Sequence, residues 1–342
     1  MTTFKPLLGL ALGLSLAAAP YASIAAEEVN LYSARIESLI KPLLDDFTEE
    51  TGIEVNLVTG KADELLSRLK SEGRNSPADI LLTTDAGRLH RAQTNNVSAA
   101  FETDLLNERV PAAYRDPEGH WYGLSLRARP VMYVKGKVDP DTIKSYADLA
   151  DSRWKNQICI RSSSNIYNQS LVASMIAANG EQATEEWATG LVDNMARPPR
   201  GGDRDQIKAA AAGICKIAIA NTYYLAGMLT SDDPAEREAA EKMGIIWPNQ
   251  ADRGTHINVS GVALTRSAKN RENAIKLIEF LTRDSSQRWY AEHNGEYPIR
   301  DDIAVSDVLK PWGKFKADNL NMAKLGENNS RALRLMDRAG WK

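Results

Sequence analysis

Strands and helices alternate strictly at the start of the mature chain, and that alternation leaves few folds open. Val29-Asn30-Leu31-Tyr32 reads as a short strand. Apolar residues then fall at Ile36, Leu39, Ile40, Leu43, Leu44 and Phe47, the spacing of an amphipathic helix. Residues 53–58 make a second strand, and residues 62–70 a second helix with Leu65, Leu66 and Leu69 on one face. Residues 79–83 are almost wholly apolar, as expected of a strand covered on both faces. A β-α-β-α-β order calls for a parallel sheet with right-handed crossovers.

The middle third repeats this grammar. A strand at 158–160 leads into a helix through Leu171, Val172, Met175 and Ile176. Helices are expected at 181–195 and 205–212, then strands at 215–220 and 244–247. Residues 256–265 form a long extended run able to return the chain to the first sheet. A helix at 273–281 comes next, and residues 306–342 read as helical apart from a loop at Pro311-Trp312-Gly313. The class is α/β, as two lobes joined by extended hinge segments near 125–133 and 249–258. Extended crossings let a few residues absorb closure while each lobe stays rigid.

The leader is an address. Lys5 precedes an apolar run at 7–19, and Ser23-Ile24-Ala25 supplies small residues at cleavage spacing. Residues 1–26 therefore read as a secretory signal peptide, and the run is shorter than the ~20 residues of a membrane span. The mature chain is expected outside the cytoplasm, where an even cysteine count invites a disulfide. Cys159 and Cys215, the only two cysteines, each lie in or beside an expected strand. Two buried free thiols are the alternative.

Charge excludes one class of partner. Lys and Arg number 42 against 45 Asp and Glu, mixed along the chain with no basic stripe, which argues against nucleic acid. Enzyme signatures are missing as well: no Gly-x-Ser-x-Gly elbow, no His-Glu-x-x-His, and four scattered histidines, His90, His120, His256 and His293.

The residues at the carboxyl end of each expected strand are more telling. Ser33 and Arg35 come after the first, Thr83-Thr84-Asp85 after the third, Ser162 to Asn165 with Tyr167 after the strand at 158–160, and Asn221-Thr222-Tyr223-Tyr224 at the end of the strand at 215–220. Open α/β sheets bind ligands at such strand ends, and Ser, Thr and Asn there also cap the next helix. Three tyrosines narrow the ligand. Phenol titrates near about pH 10, so at neutral pH only a strong Lewis acid holds it as phenolate. Ferric iron is the common hard trivalent ion that oxygen donors suit, and three phenolates cancel its charge. A small anion bound without metal is the competing reading.

The chain resembles the periplasmic ferric-iron-binding proteins that serve ABC importers, over essentially its whole mature length. The residues that carry the likeness are Leu31-Tyr32-Ser33-Ala34-Arg35, Asn75-Ser76-Pro77-Ala78-Asp79-Ile80, Arg127-Ala128-Arg129, Gly201-Gly202-Asp203-Arg204-Asp205-Gln206, Asn221-Thr222-Tyr223-Tyr224, Pro248-Asn249-Gln250 and Arg253-Gly254-Thr255-His256-Ile257-Asn258. The resemblance implies a type II periplasmic-binding-protein fold, with residues 27–127 and 252–300 in one lobe and 128–251 and 301–342 in the other. It implies Tyr223 and Tyr224 as Fe(III) ligands with Tyr167 as a third phenolate, an inner-membrane ABC permease as partner, a monomer, and no enzymatic reaction. Several members place His or His-Tyr directly after the first strand's Arg, where this chain has Ile36-Glu37. The shell is then completed either by Glu37 or by an anion such as carbonate held by Arg35 and Arg127.

Overall fold

A computed structural model describes residues 1–2 and 27–342. The signal-peptide reading rests on residues 3–26, which lie outside them. From residue 27 the chain runs through β1 (Glu28–Ser33), α1 (Lys41–Thr51), β2 (Glu54–Thr59), α2 (Ala62–Glu72), β3 (Ile80–Thr84) and α3 (Ala86–Thr94), the alternation its periodicity predicts. One detail differs. Ile36 is 71% exposed and outside the helix, whose first regular residue is Lys41. Pro42 is the reason: within a helix its ring would clash with the carbonyl four residues back, so only a short 3-10 turn at Glu37–Leu39 precedes it.

After α4 (Asp104–Arg109), β4 (Tyr122–Ala128) passes through Arg129-Pro130 straight into β5 (Val131–Val134). Then come β6 (Ile158–Cys159), α5 (Ile166–Asn179), α6 (Glu181–Asp193), α7 (Asp203–Ala211), β7 (Ile217–Ile219), α8 (Thr222–Leu229), α9 (Pro234–Glu241) and β8 (Met243–Ile246). The chain ends with β9 (Ile257–Leu264), α10 (Arg271–Leu281), α11 (Asp284–Asn294), α12 (Ala323–Glu327) and α13 (Asn329–Arg338).

Two sheets form, each over its own apolar core. The first has the order β2-β1-β3-β9-β4, parallel among β1, β2 and β3 and antiparallel where β9 pairs with β3 and β4. Leu31, Ile80, Leu82 and Val259 meet Phe47 and Leu277 in its core. The second sheet has the order β6-β7-β5-β8, and Val131, Ile158 and Ile217 pack there against Leu171 and Trp187. The chain therefore crosses between sheets at β4–β5 and again at β8–β9, the two places where extended hinges are predicted. No helix among the described residues is long and apolar enough to cross a membrane.

The carboxyl-terminal stretch is less helical than its sequence suggests. Gly313 turns the chain at φ 70°, and residues 313–322 run on without helix. Phe315 stacks on Trp247 at 4.0 Å and meets Tyr297 edge-on at 5.3 Å, while Thr255 pairs with this segment through Lys316 and Asp318. Tertiary pairing here overrides local helical preference.

Cys159 and Cys215 form a disulfide with Cα atoms 6.0 Å apart, placed by the parallel pairing of β6 with β7. The half-cystines are 56 residues apart in sequence, a loop whose closure constrains the unfolded chain by about 4 kcal/mol. Replacing both with Ala is expected to lower the unfolding free energy by about that amount. A urea titration with an unmoved midpoint would contradict this.

Candidate metal-binding site

Tyr167 and the Tyr223-Tyr224 pair sit in the first turns of α5 and α8, the helices that succeed the parallel strands β6 and β7. The strand-end rule thus brings all three phenols to one edge of the second sheet. The Tyr223 hydroxyl donates to the Tyr167 oxygen at 3.4 Å. With metal–oxygen bonds of about 2.1 Å, that separation subtends an angle of about 108° at one shared ion. The Tyr223 and Tyr224 ring centroids lie 4.2 Å apart, so the three rings adjoin and none is sunk alone in an apolar core.

A buried guanidinium holds both tyrosine-bearing helices. Arg129, at the β4–β5 crossing, donates from Nη1 to Asp203 at 2.8 Å and to Asn221 at 2.8 Å, and from Nη2 to Asn168 at 2.6 Å. Asn168 is the neighbour of Tyr167, and Asn221 precedes Tyr223 by two residues, so one side chain fixes the spacing of the two helix starts. Asn165 caps α5 by accepting from Tyr167 N. Asn221, also expected to cap, makes no such bond, its oxygen being taken by Arg129. Asp203 pairs in addition with Arg161 at 2.7 Å.

The first sheet contributes charge from the other side. Arg127 on β4 carries its guanidinium 5.1 Å from the Tyr223 ring centroid and 5.9 Å from that of Tyr167. Such placement of a cation on an aromatic face is attractive, more so when desolvated. Asp85, between β3 and α3, accepts from Ser170 of α5 at 2.7 Å, one turn beyond Tyr167. That contact ties the turn after β3 to the helix that bears Tyr167.

Arg35 and Arg127, the expected anion holders, share a partner within the chain. Glu296 accepts from Arg35 at 2.7 Å and from Arg127 at 3.0 Å, with Ser125 on the same carboxylate. Glu37 lies apart from this group, exposed on a groove of about 400 Å³ between α1 and β2 with Lys41, Asp45 and Thr59. Neither feature has a local sequence signal that names its partners. The alternation Arg127-Ala128-Arg129 at the end of a buried strand does announce that carboxylates must be found for it, because an unpaired buried charge is costly. Glu296 and Asp203 are those carboxylates, and sequence reading missed both roles because they lie 169 and 74 residues from their arginines.

The phenols are electrostatically unequal. Burial opposes ionisation of Tyr167, but Arg127, hydrogen bonds with Tyr223 and Thr84, and Arg88 outweigh it and bring the group below its ordinary value of 10.0. Burial and then the neighbouring Tyr167 hold Tyr223 well above 10.0. Burial, Tyr167 and Asp203 likewise raise Tyr224. Of the three, Tyr167 ionises most readily, and the other two phenols keep their protons at neutral pH unless a Lewis acid binds their oxygens. No group of three or more His, Cys, Asp or Glu able to hold a metal occurs among the described residues.

Known proteins resemble this chain in fold and sequence. Residues 43–317 match the family described as bacterial extracellular solute-binding protein. Iron uptake protein A1 of Synechocystis sp. is 46% identical over 346 residues, covering 100% of this chain and 96% of that protein. The Trichodesmium IdiA (FutA) structure with iron and citrate ligands superposes with a TM-score of 0.90 at 49% identity, over 92% of this chain and 100% of that one. The ferric binding protein from Campylobacter jejuni gives 0.87 at 39% identity, over 92% and 100%.

Proposed function

We propose that this chain, which belongs to the bacterial extracellular solute-binding protein family, is a periplasmic carrier that captures Fe(III) through Tyr167, Tyr223 and Tyr224 and delivers it to an inner-membrane ABC importer. It is a binding protein, as its relatives are, and performs no reaction. The observation that carries the ligand assignment is the meeting of three phenols at one edge of the second sheet beneath Arg127 of the first. Hard oxygen donors of this kind select a hard, highly charged cation. The names of similar proteins, iron uptake protein A1 and ferric binding protein, support the same cargo.

The residues divide the work. Residues 27–127 with 252–300 form one lobe and residues 128–251 with 301–342 the other, hinged at the β4–β5 and β8–β9 crossings. Iron arrives as cargo on the tyrosines of the second lobe, the phenol protons leave, and Arg127 closes over the rings from the first. Three phenolates leave coordination positions for a further oxygen donor. An anion such as carbonate or citrate fills them beside Arg127, and the iron and citrate named for the Trichodesmium structure support this. Glu37 is the reserve carboxylate, exposed and one short turn from the end of β1. The chain acts as a monomer.

Adding Fe(III) to the purified protein is expected to give a visible phenolate-to-iron charge-transfer band at one equivalent. A colourless protein that binds an oxyanion instead would favour the competing reading, in which Arg127 and Arg161 beside the rings are the recognition groups. Glu37→Gln separates the two donors: if it abolishes binding while bicarbonate has no effect, the carboxylate completes the shell.

A further inference from the structure

The two crossings between the sheets are tied together by a residue from outside them. The β4–β9 ladder ends with Ala128 opposite Ile257, and Arg129 N then donates to His256 O at 3.0 Å. Pro130 follows without an N–H, so the ladder stops there, and β5 turns to its own partners β7 and β8. Where the strands part, the Tyr146 hydroxyl stands between them. It donates to Arg129 O at 2.7 Å and accepts from His256 N at 3.1 Å. Tyr146 N also donates to the Asn249 side-chain oxygen at 3.1 Å, on the second crossing. Tyr146 is only 1% exposed, so water does not stand in for these bonds.

Arg129 carries this junction to the tyrosines. Its backbone joins the two crossings, and Pro130 confines it to extended conformations. Its guanidinium grips Asn168 beside Tyr167 and Asn221 ahead of Tyr223, with Asp203 as counter-charge. Tyr146 is thus a pin and Arg129 a lever. We propose that Arg129 is a positioning residue through which opening of the lobes disperses the iron donors. When the crossings part, the Tyr146 bonds break, the guanidinium shifts, and Tyr167 moves relative to Tyr223. Opening then loosens the hold on the metal as well as exposing it. A binding constellation tolerates only about 0.5 Å of displacement, so a small rotation at Arg129 suffices. The inference rests on the tyrosine and two-lobe readings above, and gives release to side chains that are not themselves donors.

The experiment is a double-mutant cycle on iron-loaded protein, read by the charge-transfer band and by the rate of iron loss to excess chelator. Arg129→Lys keeps the charge but loses the planar fork that spans both helices. It is expected to shift the band and weaken Fe(III) binding about 10–100-fold, as loss of groups that orient metal ligands does. Tyr146→Phe removes only the pin's hydroxyl and is expected to speed iron loss about tenfold. In the Arg129→Lys background Tyr146→Phe should act by a smaller factor, because the lever is already cut while the backbone carbonyl at 129 remains. An equal or larger factor there overturns the proposal, since a hinge that acts without the lever gives that result. So does an unchanged rate in Tyr146→Phe alone, or a band and affinity unmoved by Arg129→Lys. If either single variant does not fold, Asn221→Ala cuts the lever at α8 and Asn249→Gly cuts the pin at the second crossing, where φ 62° suits glycine. The same comparison then decides. A natural protein that gives no band with iron overturns the tyrosine reading itself, a separate failure.

Discussion

Tyr223→Phe is expected to bleach the iron-loaded protein's charge-transfer band and to weaken Fe(III) binding by more than about 100-fold, since groups that only orient a ligand already cost 10–100-fold when removed. The substitution deletes one oxygen and little else. The Phe ring keeps the stack with residue 224 at 4.2 Å and the face offered to Arg127. The hydrogen bond lost with the hydroxyl is the long one to Tyr167. Competition against a ferric chelator should read the affinity, with near-ultraviolet circular dichroism checking that the fold persists. Tyr224→Phe and Tyr167→Phe should behave alike. Undiminished affinity in all three variants would end the case for a phenolate site.

The second large effect is on pH. Iron displaces one proton from each phenol it binds, and each released proton makes the apparent affinity tenfold stronger per pH unit. Burial holds the Tyr223 and Tyr224 phenols above 10.0, so in the iron-free protein both remain protonated through the physiological range. Tyr167, held below 10.0 chiefly by Arg127 against the effect of burial, is the first to ionise. Affinity therefore rises with pH and falls with acid. The slope should approach about three decades per unit at low pH and relax toward two as Tyr167 ionises on its own. Chelator competition at several values between about pH 5 and 8 measures it. A flat profile would mean that phenols are not the donors.

Much of this site is legible in the sequence, and the reasons are specific. Tyr167, Tyr223 and Tyr224 can be gathered because strand ends in parallel α/β sheets point one way, and the strands 158–160 and 215–220 stand out as apolar runs. Cys159 and Cys215 can be joined on the same logic, since each flanks one of those strands. Residues 256–265 are readable as a return strand because their extended apolar pattern has no helical period.

Other parts resist because their determinants are remote in sequence. Glu296 looks like an ordinary polar residue after a helix, and only the pairing of Tyr297 with Leu126 brings it to Arg35 and Arg127. α11 mixes Trp289, Tyr290 and His293 with charges, and its apolar face is defined by contacts with β4 rather than by a clean repeat. Residues 313–322 obey Trp247 and Thr255 instead of their own helical preference. Nonlocal partners, not weak local signals, account for each of these.

The place of β9 in the first sheet reaches beyond binding. It lies between β3 and β4, bonded to both, yet it is synthesised only after residues 129–256, which build the whole second sheet. A chain delivered amino-terminus first holds an open slot between β3 and β4 throughout this interval. At about 5–20 residues per second the gap lasts roughly 6–26 s. During it β3 and β4, which both pair with β9, are without that shared partner. The first sheet is complete only once residue 264 has been made, late in the chain.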